Sequence, residues 1–206
     1  MSKQPKIFLI GFNKCGTTSF HDFFRANHIS SVHWRANQLA ITLYENYNYR
    51  KLPLLHGLDQ WSAYTDLICL PGSPWGQCNT DGYPIIEGCT YFRELDIDYP
   101  GSLFILNTRD PFSWVESRLR HDGGRFAEAY YKALSPSDLD SCSDLKEYWL
   151  KLWYRHHASV LDYFSGSKNF LVYHIEMSSV HTLQNFLSPY YDTEPTLFPH
   201  SHRSLR

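Results

Sequence analysis

The chain reads as an α/β domain, a three-layer sandwich in which a mostly parallel central sheet carries helices on both faces. Three observations predict it. Ile7-Phe8-Leu9-Ile10 is a continuous apolar run suited to a strand buried on both faces, and it passes through a glycine-bounded turn into a helix on which Phe20, Phe23 and Phe24 recur at helical spacing. Leu103-Phe104-Ile105-Leu106 repeats the pattern and leads to Asp110-Pro111, a capping carboxylate followed by proline at the first helical turn. A length of 206 residues with 43% hydrophobic content suits one such domain with a real core.

After the first strand and helix, Ile29 to Trp34 is expected as a short strand ending in the polar cluster His33-Trp34-Arg35. Leu39, Leu43, Tyr44 and Tyr47 then define a second amphipathic helix. From Leu52 to Gly88, prolines and glycines interrupt every run, which predicts loop-rich territory. Its Asp59, Trp61, Tyr64, Asp66, Trp75 and Tyr83 suit a pocket or lid, or satellite clusters under loops. Ile85-Ile86-Glu87 reads as a short strand, and Phe92, Leu95 and Ile97 as a helical stretch closed by Pro100.

Residues 125–143 form a polar connection with a helical first half. Leu145 through Phe164 makes a long helix whose aromatic stripe serves core packing, with His156 and His157 read as solvated on its polar side. Phe170 to Tyr173 is the last strand, Val180 to Leu187 a short helix, and Phe198 to Arg206 a basic tail. Without repeats or linkers, residues 1–206 read as a single domain.

A net charge of −2 gives no general drive toward nucleic acids or acidic membranes, so any anion site must be local. The opening MSKQPK is too short and polar for a signal peptide, and no apolar run approaches the roughly 20 residues of a membrane span, so a soluble cytoplasmic protein is expected. Five cysteines without a C-x-x-C pair read as reduced thiols, and the spacing of Cys69, Cys78 and Cys89 matches no zinc knuckle. No metal is expected. Cys15, beside Lys14 at a helix N-terminus, is where a thiolate would be stabilised, although a loop-packing role is favoured over nucleophilic catalysis.

The functional signal is concentrated in Ile7 to Phe24. Thr17, Thr18 and Ser19 sit where the first backbone N–H groups of a helix have no intrahelical partner, a place that holds anions. The spacing resembles a Walker A loop, but Thr17 stands where that motif needs lysine, and Lys14 lies inside the turn. Lys14-Cys15-Gly16-Thr17-Thr18 instead resembles the K-[ST]-G-T-T loop of sulfotransferases that use 3′-phosphoadenosine-5′-phosphosulfate (PAPS), with Cys15 in the serine position. In that family an arginine at a strand's end and a serine eight residues later bind the 3′-phosphate, and Arg109 and Ser117 match. Asn169 to Met177 is similar to the strand whose tyrosine approaches adenine, which puts Tyr173 there; a core aromatic is an equal reading. Arg109 paired with Asp110 or Glu116, and Ser117 on a helix surface, are the corresponding bland readings.

The resemblance is to small soluble bacterial-type sulfotransferases, since Ser19 replaces the tryptophan that follows Thr-Thr in the cytosolic hormone and phenol enzymes. It implies a P-loop NTPase-like fold, a donor site of Lys14, Cys15, Gly16, Thr17, Thr18, Ser19, Arg109, Ser117 and Tyr173, and no metal. The implied reaction is sulfuryl transfer from PAPS to a hydroxyl or amine of an unidentified acceptor, expected to be a small molecule, leaving adenosine 3′,5′-bisphosphate. Lys14 would neutralise the leaving phosphate, and His33 or Asp66 would take the acceptor's proton. Two alternatives stay open: a P-loop small-molecule or nucleotide kinase, and a non-catalytic nucleotide-binding protein.

Overall fold

A computed structural model describes residues 4–72, 75, 79–139 and 142–194; the expected basic tail and Cys78 lie outside them. In chain order, β1 (Ile7–Leu9) leads into α1 (Thr17–Ala26), β2 (Ser31–His33) and α2 (Gln38–Glu45). Then come β3 (Ala63–Thr65), β4 (Ile68–Cys69), β5 (Ile86–Glu87) and α3 (Phe92–Asp98). β6 (Leu103–Thr108) is followed by α4 (Pro111–Leu119), α5 (Arg125–Ala133), α6 (Pro136–Leu139) and α7 (Leu145–Tyr163), and β7 (Phe170–His174) and α8 (Val180–Leu187) complete the described elements.

Five strands pair in parallel in the order β2-β3-β1-β6-β7, while β4 and β5 form a separate antiparallel pair. The alternation of side chains along β1 and β6 explains the layers. Phe8, Ile10, Phe104 and Leu106 face one core, closed by Leu39 and Leu43 of α2, Leu95 of α3 and Val160 of α7. Ile7, Leu9, Leu103 and Ile105 face the other, under Phe20, Phe23 and Phe24 of α1 and Leu183 and Leu187 of α8. Complete burial of each phenylalanine is worth about 1.5–3 kcal/mol, so the three rings of α1 hold that helix firmly on the sheet.

β1 is the middle strand, and the segments after β1, β2, β3 and β6 all emerge at the same carboxyl edge of a parallel sheet. That edge is where the motif residues gather. Asp110 caps α4 through Oδ1, which accepts from Ser113 N at 2.7 Å, with Pro111 at the first helical position, matching the sequence expectation.

Three expectations need correction. The stretch read as loop contains β3, which inserts between β2 and β1; its strand form comes from pairing on both sides, because three residues with polar flanks carry no alternation of their own. The expected strand over Ile29 to Trp34 shortens to β2, because Trp34, Arg35, Ala36 and Asn37 all adopt positive φ, a left-handed turn that ends the pairing. His156 and His157 are buried at 4% and 6% exposure rather than solvated. His156 Nε2 donates to Ile10 O at 2.6 Å, and His157 bridges Thr108 Oγ1 and Trp153 O, so α7 uses both rings to satisfy polar groups at the ends of β1 and β6.

Candidate functional site

The β1–α1 loop takes its shape from backbone and side-chain constraints that are visible one by one. Gly11 must be glycine: a Cβ there would lie 1.9 Å from Asn107 O. Gly11 N donates to Asn107 Oδ1 at 2.9 Å, and Asn107 Nδ2 donates to Cys15 O at 3.0 Å, so one side chain from β6 staples both ends of the turn. Lys14 and Gly16 have φ of 66° and 77°, and Gly16 is the N-cap of α1 without a side-chain cap. α1 carries no acidic residue in its first turn. Its opening amides and positive dipole end are therefore available to an anion.

Behind the loop sits Arg118, fully buried. Its Nε donates to Asn13 Oδ1 at 2.8 Å and its Nη1 lies 2.8 Å from Glu87 Oε1, which also accepts from Tyr130 OH at 3.0 Å. Trp114 Nε1 donates to Asn13 O at 2.9 Å. The rings of Phe12, Trp114, Phe126, Tyr130 and Trp149 lie 4.4–5.5 Å from the guanidinium carbon. A buried cation is costly unless paired, and here the pair and the aromatic faces together make the loop's support rigid.

In front of the loop, the ends of β2 and β3 bring His33 and Asp66 together. His33 Nδ1 lies 2.9 Å from Thr65 Oγ1, whose hydroxyl donates to Val32 O at 3.1 Å. One hydroxyl proton cannot serve both contacts, so in the neutral ring Nδ1 carries the proton and Nε2 holds the lone pair. That lone pair faces Asp66 Oδ2 at 3.7 Å and Thr18 Oγ1 at 3.5 Å. Thr17 Oγ1 donates to the same Asp66 oxygen at 3.3 Å, while Asp66 Oδ1 is buried without a hydrogen-bond partner. Burial raises the Asp66 pKa, against the opposing pull of His33, the Thr17 hydroxyl and Lys14. Asp66 also has a φ of 60°, so local backbone strain coincides with an under-satisfied carboxylate.

Two cations flank this pair. Burial lowers the Lys14 pKa, with Asp66 raising it and Arg109 lowering it. Arg109, at the end of β6, donates from Nη1 to Lys14 O at 3.5 Å and from Nη2 to Glu176 Oε1 at 2.5 Å, and its buried Nε has no partner. The loop N-terminus, Lys14 and Arg109 form a positive rim suited to an anion with more than one charged group.

Of the residues singled out from sequence, Lys14, Gly16, Thr17, Thr18, His33, Asp66 and Arg109 converge. Ser117 lies half-buried in the last turn of α4. Ser19 and Cys15 are buried, and burial pushes the Cys15 thiol up to about 12, which corrects the expectation of a stabilised thiolate: desolvation outweighs the nearby cations. Tyr173 does not join the cluster. It is 2% exposed, edge-on to Phe20 at 5.1 Å, with its hydroxyl donating to Ser178 O at 3.3 Å. Sequence reasoning missed Asn107, Arg118, Glu87 and Thr65. Arg118 was detectable as a charge four residues after Trp114 on the buried face of α4; Glu87 and Thr65 gave no such signal.

No protein-family model matches the chain, and a comparison with curated proteins returned no match.

Proposed function

We propose that the protein is a sulfotransferase that moves a sulfuryl group from PAPS to a hydroxyl or amine of a small acceptor. The observation that carries this reading is the meeting of the two motif cations: the Arg109 guanidinium reaches the Lys14 carbonyl beside the uncapped N-terminus of α1. A nucleotide with phosphates at both its 5′ and 3′ positions needs two cationic subsites, and a rim built from the loop and the end of β6 supplies them.

In this reading the acceptor's oxygen or nitrogen forms a bond to sulfur as the sulfur–oxygen bond to the 5′-phosphate breaks. The loop amides and Lys14 would stabilise the charge that develops on that leaving oxygen. His33 Nε2, with its lone pair exposed by the Thr65 contact, would receive the acceptor's proton. Asp66 would stabilise the resulting imidazolium rather than act as base itself.

A P-loop kinase is the second reading: Asp66 lies at a strand end beside the loop, where NTP-using enzymes keep a Mg²⁺-binding carboxylate, although its partner Thr17 stands at that motif's lysine position and Thr18, at the hydroxyl position, faces His33. Calorimetric titration with PAPS, adenosine 3′,5′-bisphosphate and ATP, with and without Mg²⁺, separates the two. The sulfotransferase reading expects the 3′-phosphorylated nucleotides to bind more tightly, without metal, and labelled PAPS to transfer its sulfuryl group to a member of an acceptor panel. Equal ATP binding or a Mg²⁺ requirement supports the kinase; binding without transfer to any acceptor supports a nucleotide-binding protein.

A further inference from the structure

Lys14 has a neighbour that no motif supplied. His121, in the short turn of residues 121–124 after α4, places its Nδ1 3.4 Å from Lys14 Nζ, at the long end of hydrogen-bond range. The imidazole is held independently of the lysine. Its ring stacks on Trp75 at 5.9 Å and 20°, and meets Phe126 of α5 at 5.4 Å. Trp75 is fixed in turn by donating from Nε1 to Asp122 Oδ2 at 2.6 Å, and Asp122 also accepts from Arg125 at 2.5 Å.

An ammonium has three N–H donors and no acceptor. The contact is attractive only while His121 Nδ1 holds a lone pair, which requires a neutral ring with its proton on Nε2. A protonated ring would instead turn an N–H toward the lysine and set two cations face to face. Among the described residues, Asp66 and Arg109, just past β3 and β6, act on Lys14 with opposite signs, and Asp122, which pairs with Arg125 of α5, also acts on His121.

We propose that His121 is a positioning residue for Lys14: neutral, it holds the ammonium against the β1–α1 loop and away from Asp66; protonated, it drives the ammonium off. The consequence for turnover rests on the sulfotransferase reading, whereas the consequence for the lysine does not.

Two variants and two readouts test it. His121→Phe keeps a ring for Trp75 and Phe126 but removes the acceptor; His121→Asn offers an amide oxygen that does not titrate. In the full-length protein, the rate of Lys14 acetylation by acetic anhydride is followed by peptide mass spectrometry across the acid-to-neutral range. The wild type should show an inflection as His121 titrates, absent from both variants. With PAPS and an acceptor, His121→Phe should lower kcat by about tenfold or more with little change in nucleotide affinity, and His121→Asn should restore most of it. Wild-type kcat in His121→Phe, or an unchanged Lys14 inflection in the variants, overturns the proposal. Absence of any sulfuryl transfer by the wild type would sink the sulfotransferase reading, and the acetylation profile alone would then decide the contact.

Discussion

His33 Nε2 and Asp66 Oδ2 face each other across 3.7 Å, too far for a hydrogen bond and close enough for an ion pair once the ring is protonated. With the ring neutral, a lone pair faces a carboxylate and the two repel weakly. When Nε2 takes a proton, the same geometry becomes attractive. In the proposed reaction this geometry would let His33 take the acceptor's proton with Asp66 beside the resulting cation.

If His33 takes the acceptor's proton, His33→Gln should lower turnover by about 10²–10⁴-fold, while binding of adenosine 3′,5′-bisphosphate stays nearly intact. Asp66→Asn should cost less, because it removes only the support for the imidazolium. A near-normal His33→Gln enzyme beside an inactive Asp66→Asn one would reverse the assignment.

Asp66→Asn should also raise thermal stability. Burial raises the Asp66 pKa because the ionised carboxyl is solvated better in the unfolded state, and one of its oxygens has no partner in the fold. Asparagine keeps an acceptor for Thr17 and tolerates the positive φ. A gain of about 1 kcal/mol is expected from denaturant titration at neutral pH, shrinking as pH falls through the raised folded-state pKa. Unchanged or reduced stability would show that the carboxylate is not destabilising.

Arg109 and Glu176 make the third test. Their ion pair occupies the guanidinium that the proposed 3′-phosphate site needs. Glu176→Gln should tighten adenosine 3′,5′-bisphosphate several-fold in calorimetry, and Arg109→Ala should weaken it while leaving adenosine 5′-phosphate nearly unaffected. Equal losses for both nucleotides in Arg109→Ala would remove Arg109 from the 3′ subsite.

His156 and His157 govern acid stability. Burial lowers both pKa values, that of His157 to about 3, whereas an unfolded histidine titrates near 6.5. Below that unfolded value the unfolded state binds more protons, so stability is fully present above it and falls as pH drops toward the folded values, by up to about 1.4 kcal/mol per pH unit for each ring. Asp66, with a raised pKa, opposes part of this slope. Chemical denaturation across that range should show the decline, and His157→Gln should flatten it; an unchanged slope would mean that His157 charges inside the folded protein.

The loop, α1, β6 and the cap of α4 were legible because each rests on a local pattern: an apolar run, glycine at a tight approach, or Asp-Pro at a helix start. β3 was not, because Ala63, Tyr64 and Thr65 become a strand only between two partners distant in sequence. The histidines of α7 were hidden differently: His156 lies on the helix's buried stripe, four residues after Leu152 and four before Val160, but nothing local shows that Ile10 O and Thr108 Oγ1 are there to partner the two rings. Lys14, Thr17 and Thr18 were found as a motif, but the tautomer of His33 depends on Thr65, which only the pairing of β2 with β3 brings into reach.

The central position of β1 has a kinetic consequence. Ile7 pairs with both Ala63 and Leu103, so the middle of the sheet cannot form until a large part of the chain has been made and two long loops have closed. An emerging or truncated chain that ends before β6 would expose an unpaired edge of β1 and the apolar faces of Phe8 and Leu9. Slow refolding and aggregation of such fragments follow from strand order alone, and the β1–α1 loop, stapled to β6 through Asn107, would acquire its shape only once β6 has paired with β1.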